Sequence, residues 1–271
     1  MPEVDAERYI HGYGEQEEQR LRVQAAVLAP EVIHPLALQA GGNVLEIGCG
    51  SGAELEQLLA CFPDTSLTGL ELDSRHLDAA RRLIGSRARL VQGDAYRMPF
   101  ADASFDVVLT IWVLEHLEDP RAAMREALRV LKPEGRLICT EVDNDTMRFS
   151  VSLPAIEHWW QRLCSRQQAD GGDPYVGRRL RGLAQTLGCR DIRIEDVDPV
   201  SSIRMPERRA EFIDYLESLL LSGAGRLLAA GDVTERELDA VREEFAQVRQ
   251  DADVQFEYHG VRLLCRPPLT G

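Results

Sequence analysis

The chain has 271 residues, and 31 Lys and Arg against 45 Asp and Glu give it a formal net charge of −14. That balance argues against a nucleic-acid partner or an anionic membrane surface, because both are held through clustered basic side chains. No stretch approaches the roughly eighteen uninterrupted apolar residues of a transmembrane helix.

Met1-Pro2-Glu3-Val4-Asp5 is acidic and has no apolar core, so it does not read as a secretory signal. The six cysteines (49, 61, 139, 164, 189, 265) lack disulfide or zinc spacing. They fit reduced residues of a cytoplasmic protein. A small-molecule substrate and no metal are expected.

Residues 1–40 read as an N-terminal helical extension, with a helix over 15–29 that stops near Pro30. The most informative segment follows. Asn43-Val44-Leu45-Glu46-Ile47 is an apolar strand that runs into Gly48-Cys49-Gly50-Ser51-Gly52, and Ala53, Leu55, Leu58 and Leu59 then begin a helix pattern. Alternating glycines let the backbone turn tightly and approach a ligand, and a helix N-terminus offers free N–H groups. A second strand over 67–70 ends in Glu71, nineteen positions after Gly52, where an acid would grip a ribose diol. A third, Arg89-Leu90-Val91-Gln92, ends in Gly93-Asp94-Ala95. A fourth, residues 105–111, runs into Trp112-Val113-Leu114-Glu115-His116. A helix over 120–131, a turn at 132–135 and a fifth strand over 136–140 come next. Strands alternating with helices predict an α/β, doubly wound parallel sheet, with polar residues gathered at the strand ends that bind ligands.

Beyond Asp143 the order is less regular. A helix over 154–168 carries Trp159 and Trp160, a turn-rich piece holds Tyr175, and a helix over 177–187 is closed by Gly188. Residues 192–197 alternate as a strand should. A helix over 207–221 places Phe212, Tyr215, Leu216, Leu219 and Leu220 on one side, and Thr234 with Glu237 forms a capping box for the next helix. Residues 254–265 are expected to form one long, bent final strand rather than a hairpin.

The motif order over residues 40–142 resembles the class I S-adenosylmethionine-dependent methyltransferases, of the small-molecule type. Residues 44–52 are similar to their first motif, with Glu46 at its usual acid, and 67–73 to their second strand, with Glu71 at the ribose-binding acid. Gln92 to Phe100 is similar to the adenine-contacting segment, with Asp94 at the amino group. Leu114-Glu115-His116-Leu117 and Leu131-Lys132-Pro133-Glu134-Gly135 are also typical, although Glu134 replaces a usual glycine. A nicotinamide-dependent dehydrogenase shares the early pattern. Its third glycine should fall one residue after Gly52, and it leaves the Asp94 segment without a role.

The resemblance implies a seven-stranded, mostly parallel sheet with an antiparallel last strand. It divides the chain into the extension, a Rossmann-like core over 41–200, a helical lid over 201–252 and a final strand over 253–271. The lid's apolar faces would pack on the core or on a second subunit of a homodimer, or would contact the substrate directly. The cofactor is expected to be S-adenosyl-L-methionine, with S-adenosyl-L-homocysteine as product. Cofactor contacts are expected at Glu46, Gly48, Gly50, Glu71, Leu72, Asp94, Ala95, Thr110 and Trp112. Similar N-terminal segments in some small-molecule methyltransferases fold over the cofactor. A ring of Tyr9 or Tyr13 would then face the sulfonium and Arg20 would pair with the methionine carboxylate, or the two tyrosines simply staple the extension to the surface.

Methyl transfer from a sulfonium needs the nucleophile placed about 3 Å from the methyl carbon, and a base only where the nucleophile arrives protonated. His116, just past the fourth strand, is the first candidate base. The alternative is a helix-start residue bonded to a carbonyl. Glu141 and Asp143 are candidates for holding a cationic amine, or are solvated loop acids. His34, His76, His158 and His259 read as surface or packing residues. The acceptor atom is open among oxygen, nitrogen, sulfur and carbon. Two other readings also remain: a cofactor-binding regulatory protein that does not methylate, and a non-methyl reaction on the same fold.

Overall fold

The computed structural model describes residues 9–197 and 206–269. Its strands are β1 (Asn43–Ile47), β2 (Ser66–Glu71), β3 (Arg89–Gln92), β4 (Phe105–Ile111), β5 (Leu131–Val142), β6 (Arg148–Phe149), β7 (Arg190–Val197), β8 (Phe256–Glu257) and β9 (Gly260–Arg266). Seven of them form one sheet in the order β3-β2-β1-β4-β5-β9-β7, in which only β9 runs antiparallel to its neighbours. This is the expected doubly wound sheet with an antiparallel last strand.

Val44, Leu45 and Ile47 of β1, and Val107, Val108 and Leu109 of β4, are all buried. Successive strand residues face opposite sides, so burial of adjacent positions means that both sheet faces are covered. The strand order reverses between β1 and β4, which leaves a crevice beyond their carboxyl ends. Gly69 lets the layers close there: a Cβ on it would stand 2.7 Å from both Cys49 Sγ and Leu55 Cδ1.

The helices are α1 (Glu15–Val32), α2 (Ala53–Cys61), α3 (Ser74–Ile84), α4 (Pro120–Val130), α5 (Pro154–Ala169), α6 (Leu180–Thr186), α7 (Pro206–Ser222), α8 (Ala224–Ala230) and α9 (Glu235–Gln250). None of the described helices is long and apolar enough to cross a membrane. The Thr234–Glu237 capping box forms as expected. Phe212, Leu216 and Leu220 of α7 and Val241 and Phe245 of α9 are buried within this one chain, where α7 packs on α1 and α9 on α5.

Two expectations need correction. α1 passes through Pro30 instead of stopping there. Proline removes its own N–H but not those that follow, and the Ile33 N–H still reaches Ala29 O at 2.9 Å. Burial of Val27, Leu28, Val32 and Ile33 then holds the last turn.

The segment 254–265 is not one bent strand. β8 pairs with β6 in a separate two-stranded sheet, and β9 begins only at Gly260. Tyr258 causes the break: its hydroxyl is buried and donates to Asn144 Oδ1 at 2.6 Å, while the His259 N–H donates to Thr146 Oγ1 at 2.9 Å.

Candidate active site

A cavity of about 970 Å³ lies at the carboxyl ends of β1, β2 and β4, closed over by the segment before α1 and by side chains of α1, α5 and α7. This is near the top of the roughly 300–1,000 Å³ range of small-ligand sites, so two small molecules can share it.

The glycine loop shapes one end. Gly48 and Gly50 have φ of 68° and 51°, in the left-handed region that glycine enters without a Cβ penalty. A Cβ on Gly48 would meet Val113 Cγ2 at 2.7 Å, whereas one on Gly50 would meet nothing within 4 Å. Bare backbone therefore faces open space in the cavity at Gly50. Glu71, at the tip of β2, accepts the Gly50 N–H on Oε2 at 2.9 Å and the Asp73 N–H on Oε1 at 2.8 Å. Each oxygen keeps a second lone pair, so a fixed carboxylate remains able to accept two hydroxyls. Asp94 is steadied at the same rim by the Tyr96 N–H, 2.8 Å from Oδ1. Leu72 and Ala95 line the cavity beside them.

Four of the expected residues stand outside the wall: Glu46, Thr110, Glu141 and Asp143 are not among the lining side chains. Glu46 is buried in β1 with Oε2 unpaired, and burial, with the Glu54 and Glu71 charges, pushes its pKa well up. Thr110 is buried in β4 with its hydroxyl unpaired. Glu141 turns back on the chain, where Oε1 accepts the N–H groups of Leu114 at 2.8 Å and Val113 at 3.1 Å. Burial, reinforced by Glu115, lifts its pKa to about 8. The structure thus gives Glu141 a different place from the one expected of a group that holds substrate. It braces the turn that presents His116.

Arg20 lines the cavity but is not free. Its Nε and one terminal nitrogen grip both oxygens of Glu17 at 2.7 and 2.6 Å, and the other terminal nitrogen donates to Gln24 at 2.7 Å. Two of its five N–H donors remain. Tyr9 donates to Glu17 Oε1 at 2.9 Å and sets its ring 5.3 Å from that of His116. The Tyr13 ring lies 3.8 Å below the Arg75 guanidinium and 4.7 Å from His76, and burial raises its hydroxyl pKa to about 12. Asp143 is occupied by Arg178, 2.7 Å from Oδ2.

Trp112 and His116 both face the cavity. Trp112 has a φ of 52°, a strained value for a side chain with a Cβ. Its N–H donates to Thr140 O at 2.9 Å. His116 Nδ1 lies 3.3 Å from Gln167 Nε2, and its Nε2 lies 3.8 Å from Glu115 Oε1.

Several wall residues escaped the sequence reading. Glu54 follows the glycine loop, and burial pushes its pKa up to about 7. His76, expected on the surface or in packing, is 6% exposed and packs against the Tyr9 and Tyr13 rings, and it also faces the cavity with Nε2 unpaired. Trp160 lines the cavity, whereas Trp159 is wholly in the core with its Nε1 on Leu220 O. Adjacent helix residues point about 100° apart, so a tryptophan pair already signalled two destinations.

A family model described as a methyltransferase domain matches residues 45–139. The O-methyltransferase rstn1 of Aspergillus nomiae is 31% identical over 203 residues, 72% of this chain and 86% of that protein. The 27-O-demethylrifamycin SV methyltransferase of Amycolatopsis mediterranei is 34% identical over 142 residues, about half of each chain (51% and 52%). In the solved structures, a Haemonchus contortus phosphoethanolamine N-methyltransferase bound to S-adenosyl-L-methionine superposes with a TM-score of 0.55 at 18% identity, covering 97% of this chain and 56% of that one. Against the first curated relatives the chain spans about half of their length. The fold and these relatives define the class: this chain belongs to the class I S-adenosylmethionine-dependent methyltransferases. The cofactor of that family is S-adenosylmethionine. The open backbone at Gly50 and the twofold acceptor capacity of Glu71 fit it.

Proposed function

We propose that the protein transfers the methyl group of S-adenosylmethionine to a small-molecule acceptor. One observation carries this reading: a single cavity is continuous from Glu71 and Asp94 to His11, His116 and Tyr215. Glu71, Asp73 and Asp94 line an end suited to an adenosine, and Trp112, Trp160, Tyr215 and Tyr258, with the two histidines, line an end suited to an acceptor.

In this reading Glu71 accepts the ribose hydroxyls and Asp94 the adenine amino group. The backbone at Gly48 and Gly50 makes room for the amino-acid tail, and Leu72 and Ala95 flank the base. Tyr13 and Arg20 close over the cofactor from the N-terminal side. When bound, the cofactor supplies an electrophilic sulfonium methyl group. The protein excludes water, aligns the acceptor and removes its proton where it carries one. Residues 41–197 would then be the cofactor core and 206–252 the cover of the acceptor, the expected boundary between 200 and 201 lying outside the described residues.

A thermal melt with S-adenosylmethionine, S-adenosylhomocysteine and NAD in parallel tests the cofactor. Ligand at a hundred times its Kd adds about 2.7 kcal/mol, a rise of several degrees. A rise with the adenosyl ligands but not with NAD is expected. A screen of phenols, alcohols, amines and thiols, scored by release of S-adenosylhomocysteine, tests the transfer. Binding without turnover across that screen would favour a non-methylating protein.

A further inference from the structure

Two histidines face the acceptor end of the cavity, and their hydrogen-bond partners require opposite tautomers. Ser222 Oγ lies 2.6 Å from Leu219 O and 2.6 Å from His11 Nδ1. The carbonyl has no proton and the hydroxyl has one. Ser222 therefore donates to Leu219 and accepts from His11 Nδ1–H. The neutral His11 ring is left with its lone pair on Nε2.

At His116 the logic reverses. The Gln167 amide nitrogen, 3.3 Å from Nδ1, can donate but not accept. Glu115 holds it in that sense: its backbone oxygen and Oε2, both 3.1 Å away, share one of the two amide hydrogens, which leaves the other for His116. Nδ1 of His116 is thus the acceptor, and Nε2 carries the proton, with Glu115 Oε1, 3.8 Å away, too distant to take it. The two ring centroids are 6.1 Å apart, and both rings line the cavity.

We propose that His11, not His116, is the base that takes the acceptor's proton, and that His116 donates a hydrogen bond to a second oxygen of a hydroxylated substrate. This rests on the methyl-transfer reading above. The substrate O–H bond breaks, an N–H bond forms at His11 Nε2, and the oxygen keeps the electron pair. The resulting imidazolium later gives its proton to water. The surroundings of His11 favour the neutral ring that this requires: burial, with the nearby Arg20 and His116, holds its pKa well below the usual imidazole range. Tyr9, 5.3 Å away by ring centroid, is kept protonated by burial and by Glu17. An acceptor paired with a donor suits a hydroxyl beside another oxygen, as in a catechol or a hydroxyquinone.

The first test is the ring ¹⁵N spectrum of the S-adenosylhomocysteine-bound protein, with His11→Asn and His116→Asn to assign the signals. Near pH 7, His11 should show Nδ1–H and His116 Nε2–H. A His11 that is Nε2–H or doubly protonated overturns the proposal.

The second test is kinetic, with catechol and 1-naphthol among the probes. Asn at position 11 keeps a donor toward Ser222 but has nothing at Nε2. His11→Asn should therefore lower kcat about 10²- to 10⁴-fold, abolish the acidic limb of the pH profile and leave the melt with S-adenosylhomocysteine unchanged. His116→Gln should raise KM more than it lowers kcat. A wild type inactive with every acceptor defeats the methyl-transfer reading itself. An active wild type matched by His11→Asn defeats only the base assignment, and turnover of amines or thiols but no hydroxylated probe overturns the substrate class.

Discussion

Glu71 Oε2 accepts the Gly50 N–H at 2.9 Å, so the acid at the tip of β2 fixes the glycine loop that follows β1. One carboxylate thereby shapes the loop and remains available to a ligand. A hydrogen bond to a charged group contributes about 1.5–3 kcal/mol. Glu71→Ala should therefore weaken S-adenosylhomocysteine binding by at least about tenfold in calorimetric titration, and should lower the melting temperature of the free protein as well. Unchanged affinity would remove Glu71 from the cofactor site.

The two glycines of the loop separate packing from access. Gly48→Ala drives a methyl into Val113 at 2.7 Å, whereas Gly50→Ala meets no atom but keeps an unfavourable φ of 51°. That backbone cost is about 1–2 kcal/mol. Gly48→Ala should be clearly the less stable of the two in a urea melt. Gly50→Ala should lose several-fold in cofactor affinity and only the backbone cost in stability, without the clash that Gly48→Ala adds. Equal stabilities for the two variants would contradict the geometry.

The buried Glu141 makes stability depend on pH in a defined direction. Its pKa stands at about 8 in the folded protein against 4.5 for an unburied glutamate. Between those values the folded state holds a proton that the unfolded state has lost, so stability declines as pH rises through that window. Glu141→Gln keeps an oxygen for the Val113 and Leu114 N–H groups and has no charge to bury. Its melting temperature should exceed that of the wild type at pH 8 by several degrees, and the gap should close toward pH 5. A gap that persists at pH 5 would point to a cause other than ionisation.

Glu17 and Arg20 form a buried ion pair at 2.6 Å, with 3% and 6% side-chain exposure. Removing one partner of such a pair strands a charge and typically costs about 3–5 kcal/mol. Arg20→Met and Glu17→Gln should each destabilise the fold strongly, and the double variant by clearly less than their sum. Additive losses in a double-mutant cycle would mean that the two side chains are not coupled.

The sheet and the cofactor end of the cavity were legible because both are written locally. A strand, a glycine turn and an acid about twenty residues on are each encoded within a short stretch. The order of Gly48, Gly50, Glu71 and Asp94 along the chain maps directly onto the carboxyl edge of β1, β2 and β3. The path of α1 past Pro30 and the break at Tyr258 were not legible, because each depends on partners remote in sequence. Asn144, which holds the Tyr258 hydroxyl, is 114 residues away.

The same division runs through the acceptor end. The sequence by itself determined the α/β class, the mostly parallel sheet with an antiparallel last strand and the glycine loop at the end of β1, because parallel strands and glycine turns follow from short-range patterns. Only the tertiary structure decided that Glu141 turns inward, that Arg20 is already paired with Glu17, and that His11 meets Ser222 across 211 positions. A hydrogen bond fixes a tautomer or a carboxylate's charge only through the atoms that surround it. Those atoms come together when α1, α5 and α7 close over the sheet.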